Sequence, residues 1–153
     1  VQSRESVRAM ADAAGIGQHV RFLGVITDPE ALACAYECAA LHVFPVREIP
    51  GDPEGFGMVA IEAAAHGLPT VAFGTGGIVD AVAEGRSGRL VASGDYDGLR
   101  DAALAVMREG EGAWRSNAQA FARDFAWPRF GAFLCSSLGI STEPVDATRG
   151  SGA

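Results

Sequence analysis

Positive charge is scarce in this sequence. Lysine and arginine together number 12 against 19 aspartates and glutamates, for a formal net charge of −7 and a pI near 4.8. That balance argues against nucleic acid or an anionic membrane surface as the main partner, because both select basic proteins. No apolar run reaches the length of a membrane-spanning helix, and no charged-then-apolar leader marks secretion. Direct membrane insertion is therefore not expected, and the expected setting is cytoplasmic. Cysteine is also sparse: Cys34, Cys38 and Cys135 cannot all pair internally. Cys34 and Cys38 fall at i and i+4 of an expected helix and could ligate a metal, but they fit better as small core residues in a reducing compartment. His19, His42 and His66 are scattered and form no ligand pattern. A Gly-x-Ser-x-Gly elbow and a P-loop lysine motif are both missing. The segments from Gly15 and from Gly74 each begin Gly-x-Gly, but neither supplies the third small residue of a dinucleotide fingerprint. A nicotinamide or flavin site is not expected.

What is present is a globular composition, 48% hydrophobic and 20% charged over 153 residues, enough for one domain with a sizeable core. Apolar patterning predicts helices over 4–14, 28–39, 57–66, 79–83, 95–108, 113–123 and 127–138. Short continuous apolar runs predict strands over 20–23, 41–44, 70–73 and 88–91. Asp28-Pro29 is a helix start, with an acid at the cap and proline in the first turn. Alternation of strands and helices predicts an α/β fold: a parallel, Rossmann-like sheet with helices on both faces, followed by C-terminal helices. Residues 1–140 read as one domain. Residues 141–153, rich in Ser, Thr, Gly and Pro, read as a flexible tail.

The densest chemistry lies in Glu54-Gly55-Phe56-Gly57-Met58-Val59-Ala60-Ile61-Glu62, where two acids stand eight positions apart around Gly-Phe-Gly at the mouth of a helix. Gly55 and Gly57 lack Cβ, so the backbone can turn tightly and a ligand can approach its N–H groups. The first N–H groups of the helix have no partner within it and, with the helix dipole, favour a phosphate or sugar oxygen. Glu62 lies about a turn and a half inside the helix, and its side chain leans toward the helix N-terminus. A carboxylate can accept from both hydroxyls of a vicinal diol, each such bond contributing roughly 1.5–3 kcal/mol. Glu62 could instead be the polar face of an amphipathic helix and Glu54 an ordinary loop acid. Ile61, Ala63, Ala64 and Ala65 around Glu62 predict a helix buried nearly all round, however, and an unpartnered buried glutamate is costly.

This segment resembles the acid-x7-acid signature of retaining glycosyltransferases of the two-domain GT-B fold, in particular glycosyltransferase family 4. The likeness continues in order through Val20-Arg21-Phe22-Leu23-Gly24, Leu41-His42-Val43-Phe44-Pro45, Gly67-Leu68-Pro69-Thr70-Val71-Ala72, Gly76-Gly77-Ile78-Val79-Asp80-Ala81-Val82, Gly85-Arg86-Ser87-Gly88-Arg89-Leu90-Val91 and Phe125-Ala126-Trp127. The resemblance implies that Glu54 contacts hydroxyls of a donor sugar in the catalytic position and that Glu62 holds the ribose. It also implies that the backbone of Phe56-Gly57-Met58, with Gly55, faces the sugar and phosphates. Gly76-Gly77 would let the main chain approach the donor, or would simply form a tight turn. Two departures are visible: Asp80 stands where glutamate is usual, and the loop from Pro45 to Pro53 is longer than in many members, as in the mannosyltransferase-like branch.

Taken together, the resemblance implies the donor-binding half of an enzyme that moves a hexose from a nucleotide-diphosphate sugar to an acceptor, with no cofactor; a metal is not expected, on the reading that no Asp-x-Asp pair is available to carry one. The family's diphosphate-binding Arg and Lys, and its acceptor-binding N-terminal domain, would lie upstream of the segment seen here. Any contact with the cytoplasmic membrane face would be made through that domain. The sheet would then hold about four of roughly six strands. Arg47, Arg86 and Arg89 are candidate substitutes for the missing cations, or ordinary surface residues. Other classes stay open: a sugar-nucleotide epimerase on the same fold, or a non-catalytic half serving as a binding or assembly module.

Overall fold

The computed structural model describes residues 3–46 and 55–140. By internal contacts the chain falls into two compact units, residues 1–34 and 35–153. In the first, helix α1 (Arg4–Ala13) is capped by Ser3, whose hydroxyl accepts from the Ser6 amide at 3.2 Å. A 3-10 turn (Gly17–His19) follows, and the guanidinium groups of Arg4 and Arg8 lie over the Phe22 ring at 5.3 and 5.0 Å. Helix α2 (Pro29–Glu37) starts where Asp28-Pro29 predicts, with the Asp28 carboxylate accepting from the Ala31 amide at 3.1 Å.

The expected strand over 20–23 does not form. Val20 is extended, but the segment pairs with no strand among the described residues, and Leu23 and Val25 are 68% and 90% exposed. A strand exists only in a ladder, so apolar β-branched sequence without a neighbour stays irregular. The described sheet therefore has three strands rather than the four expected.

Those strands, β1 (His42–Phe44), β2 (Thr70–Phe73) and β3 (Gly88–Val91), are parallel and lie in the order β1-β2-β3. Helix α3 (Met58–Ala65) joins β1 to β2, and the short α4 (Ile78–Ala81) joins β2 to β3. Helices α5 (Tyr96–Glu109), α6 (Glu111–Ala122) and α7 (Trp127–Ser137) complete the chain. All four residues of β2 are buried, and successive side chains serve opposite faces. Ala72 packs with Ala60, Ile61, Ala64, Ile78 and Phe121, whereas Val71 and Phe73 pack with Leu99, Val106 and Trp114. The sheet is thus covered on both faces, as continuous apolar strands require. Burying Phe73 or Val71 in this way contributes about 1.5–3 kcal/mol each.

Two glycines fix the connections that matter. Gly67 (φ 78°) closes α3: its amide donates to Ala64 and that of Leu68 to Ala63, a Schellman arrangement that turns the chain into β2. Gly88 lies so close to β2 that a Cβ there would collide with the Thr70 carbonyl. Cys34 and Cys38 are exposed rather than core: Cys34 lies on α2, which buries none of its residues, and Cys38 lies in the turn that follows it.

Candidate functional site

The mouth of α3 is built by backbone. Gly57 is buried, adopts the left-handed region (φ 79°, ψ 46°) and occupies the N-cap, where it offers no side chain to the first-turn N–H groups. A Cβ there would be strained and would also crowd the Phe44 ring at 3.3 Å. Beside it, an added Cβ at Gly55 would meet nothing within 4 Å among the described residues. Gly77, at the start of α4, packs its main chain onto that of Gly55 and Phe56, so closely that a Cβ would collide with the Gly55 carbonyl oxygen. The glycine pair thus brings two loops together, a reason for glycine that neither the ligand-approach nor the tight-turn reading contained. Gly76 supplies the preceding bend at φ 53°.

Glu62 is exposed, which corrects the expectation of an all-round buried helix. Ala60, Ile61, Ala63 and Ala64 face the core, while Met58, Val59, Glu62 and Ala65 face outward. Small alanines hid the helical periodicity: they are apolar enough to read as core at every position, yet two faces of the helix differ. Burial therefore no longer argues for Glu62, which stands on the outward face of the helix as the amphipathic alternative has it, with a side-chain partner from α2. The Tyr36 hydroxyl, from the last turn of α2, donates to Glu62 Oε2 at 3.1 Å. Burial raises the Tyr36 pKa first, and the Glu62 acceptor and its charge raise it further, so the hydroxyl keeps its proton. The Tyr36 ring stacks on His66 (5.3 Å between centroids, 9° between planes), and His66 Nδ1 lies 3.3 Å from Glu37 Oε1. His66 is thus a helix-end packing group.

His42 opens β1 and feels the charge of Glu62. Burial lowers its pKa, with the Glu62 charge opposing. Its Nδ1 lies 3.1 Å from Thr70 Oγ1, and its ring stacks on Phe44. Neither Tyr36 nor His42 was singled out from sequence as part of the site. Their signal, an aromatic and an imidazole flanking the turn into β1, is visible only once α2 and α3 are known to be neighbours there.

Glu54, the expected catalytic acid, and Arg47 lie outside the described residues. The other two candidate cations are engaged in packing. Arg89 Nη2 donates to Glu109 Oε1 at 2.7 Å and lies over Trp114, and Arg86 lies over Phe121 at 5.7 Å. All 12 lysine-or-arginine positions in this sequence are arginines. The expectation that no Asp-x-Asp pair is available is corrected by Asp95-Tyr96-Asp97, whose carboxylates are engaged locally: Asp95 caps α5 by accepting from the Gly98 amide, and Asp97 accepts from Arg100 at 2.8 Å. Next to the mouth, Phe56, Met58, Phe125, Trp127, Phe130 and Phe133 line an apolar recess of about 520 Å³. Phe125 packs on Phe56 at 5.5 Å, so the late Phe-x-Trp element adjoins the glycine loop although about seventy residues separate them.

A family model described as "Glycosyl transferases group 1" matches residues 2–109. Among curated relatives, D-inositol 3-phosphate glycosyltransferase 2 of Catenulispora acidiphila is 39% identical, over 88% of this chain and 31% of its own length. The D-inositol 3-phosphate glycosyltransferase of Corynebacterium glutamicum is 34% identical, over 93% of this chain and 34% of its own. The chain therefore spans about a third of the curated relatives it matches. Among solved structures, sucrose-phosphate synthase from Thermosynechococcus elongatus superposes with a TM-score of 0.71 at 28% identity, covering 90% of this chain and 35% of that one. The HepE protein of Anabaena in complex with UDP-glucose superposes with a TM-score of 0.68 at 25% identity, covering 90% and 37%. The parallel sheet with helices on both faces is the Rossmann-like fold of these GT-B proteins, and the chain belongs to the glycosyl transferases group 1 family.

Proposed function

We propose that this chain is the donor-binding part of a retaining glycosyltransferase that moves a hexose from a nucleotide-diphosphate sugar to an acceptor held by another domain of the same protein. The observation that supports this most is the N-terminus of α3, where the N-cap residue is glycine and makes no side-chain cap bond. It opens beside Gly55 and carries an outward-facing Glu62 on the same helix, in a chain whose residues 2–109 match the family. The HepE neighbour's complex with UDP-glucose is in keeping with a nucleotide-sugar ligand. In this reading the α3 amides stabilise the leaving diphosphate, Glu54 positions the donor sugar, and Glu62 holds the ribose. Catalysis rests on placement and electrostatics, without a metal.

In the whole polypeptide, Glu54→Gln and Glu62→Ala should each lower turnover about tenfold or more, since each removes a charge-assisted bond. Unchanged kinetics in both variants would remove the assignment. The product's anomeric configuration, read by proton NMR, should match the donor's; an inverted product would refute retention. This chain by itself should bind donor weakly. It carries −7 charge, and helix dipoles contribute only about 0.3–1 kcal/mol each toward a diphosphate. Micromolar binding by calorimetry would contradict that expectation.

A further inference from the structure

We infer that Tyr36 is a positioning residue for the nucleotide's ribose: its hydroxyl fixes the Glu62 carboxylate in the orientation that accepts a vicinal diol. The inference rests on the reading of Glu62 as the ribose acid and names a residue that acts through it.

The geometry is specific. Glu62 stands on the exposed face of α3, where a glutamate otherwise samples many rotamers and loses that freedom on binding. The Tyr36 hydroxyl takes one lone pair of Oε2 at 3.1 Å, leaving Oε1 and the rest of Oε2 open to hydroxyl donors. Tyr36 is itself held. Its ring lies flat on His66, one turn beyond Glu62 on the same face of α3, and the neighbouring Glu37 meets His66 Nδ1 at 3.3 Å. Two crossed side-chain pairs, Tyr36–Glu62 and Glu37–His66, therefore clamp the last turn of α2 to the outward face of α3. A tyrosine with only two side-chain torsions, both fixed by stacking, is a better anchor than a flexible cation and leaves the carboxylate charge unneutralised. Ordering Glu62 before the ligand arrives moves that cost out of the binding step.

The test measures binding of UDP, GDP and ADP, each beside its 2′,3′-dideoxy counterpart, to the whole polypeptide by calorimetry. The proteins are wild type, Glu62→Ala and Tyr36→Phe; the phenylalanine keeps the stack on His66 and removes only the hydroxyl. Wild type should prefer a ribose form over its dideoxy form, and Glu62→Ala should erase the preference. Tyr36→Phe should weaken the ribose form about three- to tenfold while changing the dideoxy form less than about twofold, at an unchanged melting temperature. If Tyr36→Phe leaves both forms unchanged or weakens them equally, while Glu62→Ala erases the preference, the positioning role is overturned and the ribose reading survives. If Glu62→Ala keeps the preference, or no nucleotide binds wild type, both fall together.

Discussion

The main chain of Gly77 rests directly on the carbonyl of Gly55, so the loop after β2 and the loop before α3 meet without an intervening side chain. The contact separates two roles for glycine at this mouth. At Gly77 the space of the missing Cβ is filled by protein, whereas at Gly55 no described residue comes within 4 Å of it. Gly77→Ala should therefore destabilise the fold by about 1–3 kcal/mol, because the atoms in the way are backbone and cannot swing aside. Gly55→Ala should leave stability within about 0.5 kcal/mol yet raise the donor KM of the whole enzyme. Denaturant melts and donor kinetics on the pair separate the two. Normal donor kinetics in Gly55→Ala would mean that the donor does not sit against Gly55.

Gly57 combines strain with crowding, and Gly85 offers a control. Both have positive φ, 79° and 71°, but a Cβ at Gly85 meets nothing within 4 Å while one at Gly57 meets Phe44 at 3.3 Å and Ile78 at 3.5 Å. Alanine at Gly85 should cost about 1–2 kcal/mol from backbone strain alone. Alanine at Gly57 should cost more, and should also tilt the first turn of α3. Equal losses in thermal melts would show that Phe44 and Ile78 yield without cost.

Much of this architecture was legible because its determinants are local. The Asp28-Pro29 start, the strands 70–73 and 88–91, and the glycine stop after His66 were all placed from neighbouring residues, and the structure keeps them within a residue or two. What failed depends on partners distant in sequence. The apolar segment from Val20 to Leu23 cannot announce whether another strand lies beside it. The alanine-rich α3 reads as buried everywhere, although Glu62 and Ala65 face out. The acid-x7-acid spacing marks the start of α3, but Tyr36 and Phe125 reach Glu62 and Phe56 from elements 26 and 69 positions away. No periodicity in one segment encodes such meetings.

His42 makes stability depend on pH. Its folded-state pKa lies below the ordinary value of about 6.5, chiefly through burial. Below that value the unfolded chain binds the proton more readily than the folded one, so stability rises with pH across the window. This contribution is fully present above pH 6.5 and is lost as pH falls through the folded pKa. His42→Gln, which keeps a polar partner for Thr70, should flatten the fall in melting temperature between pH 7 and 5. A parallel fall in both proteins would assign the titration elsewhere.

Arg89 tests whether the diphosphate recruits a cation from the sheet. It stands in register with Val71, whose face of the sheet packs with Leu99 and Trp114, whereas α3 packs on the Ala72 face. Its guanidinium bonds Glu109 and lies over the Trp114 ring. A half-exposed ion pair contributes about 0.2–1 kcal/mol and the cation–π contact about 0.5–1 kcal/mol, so Arg89→Ala should lower stability by about 1 kcal/mol. Donor affinity of the whole enzyme should stay within about twofold, because the side chain is committed to the far face. A tenfold rise in donor KM without loss of melting temperature would instead mean that Arg89 leaves Glu109 for the phosphates and joins the α3 amides in the anion site.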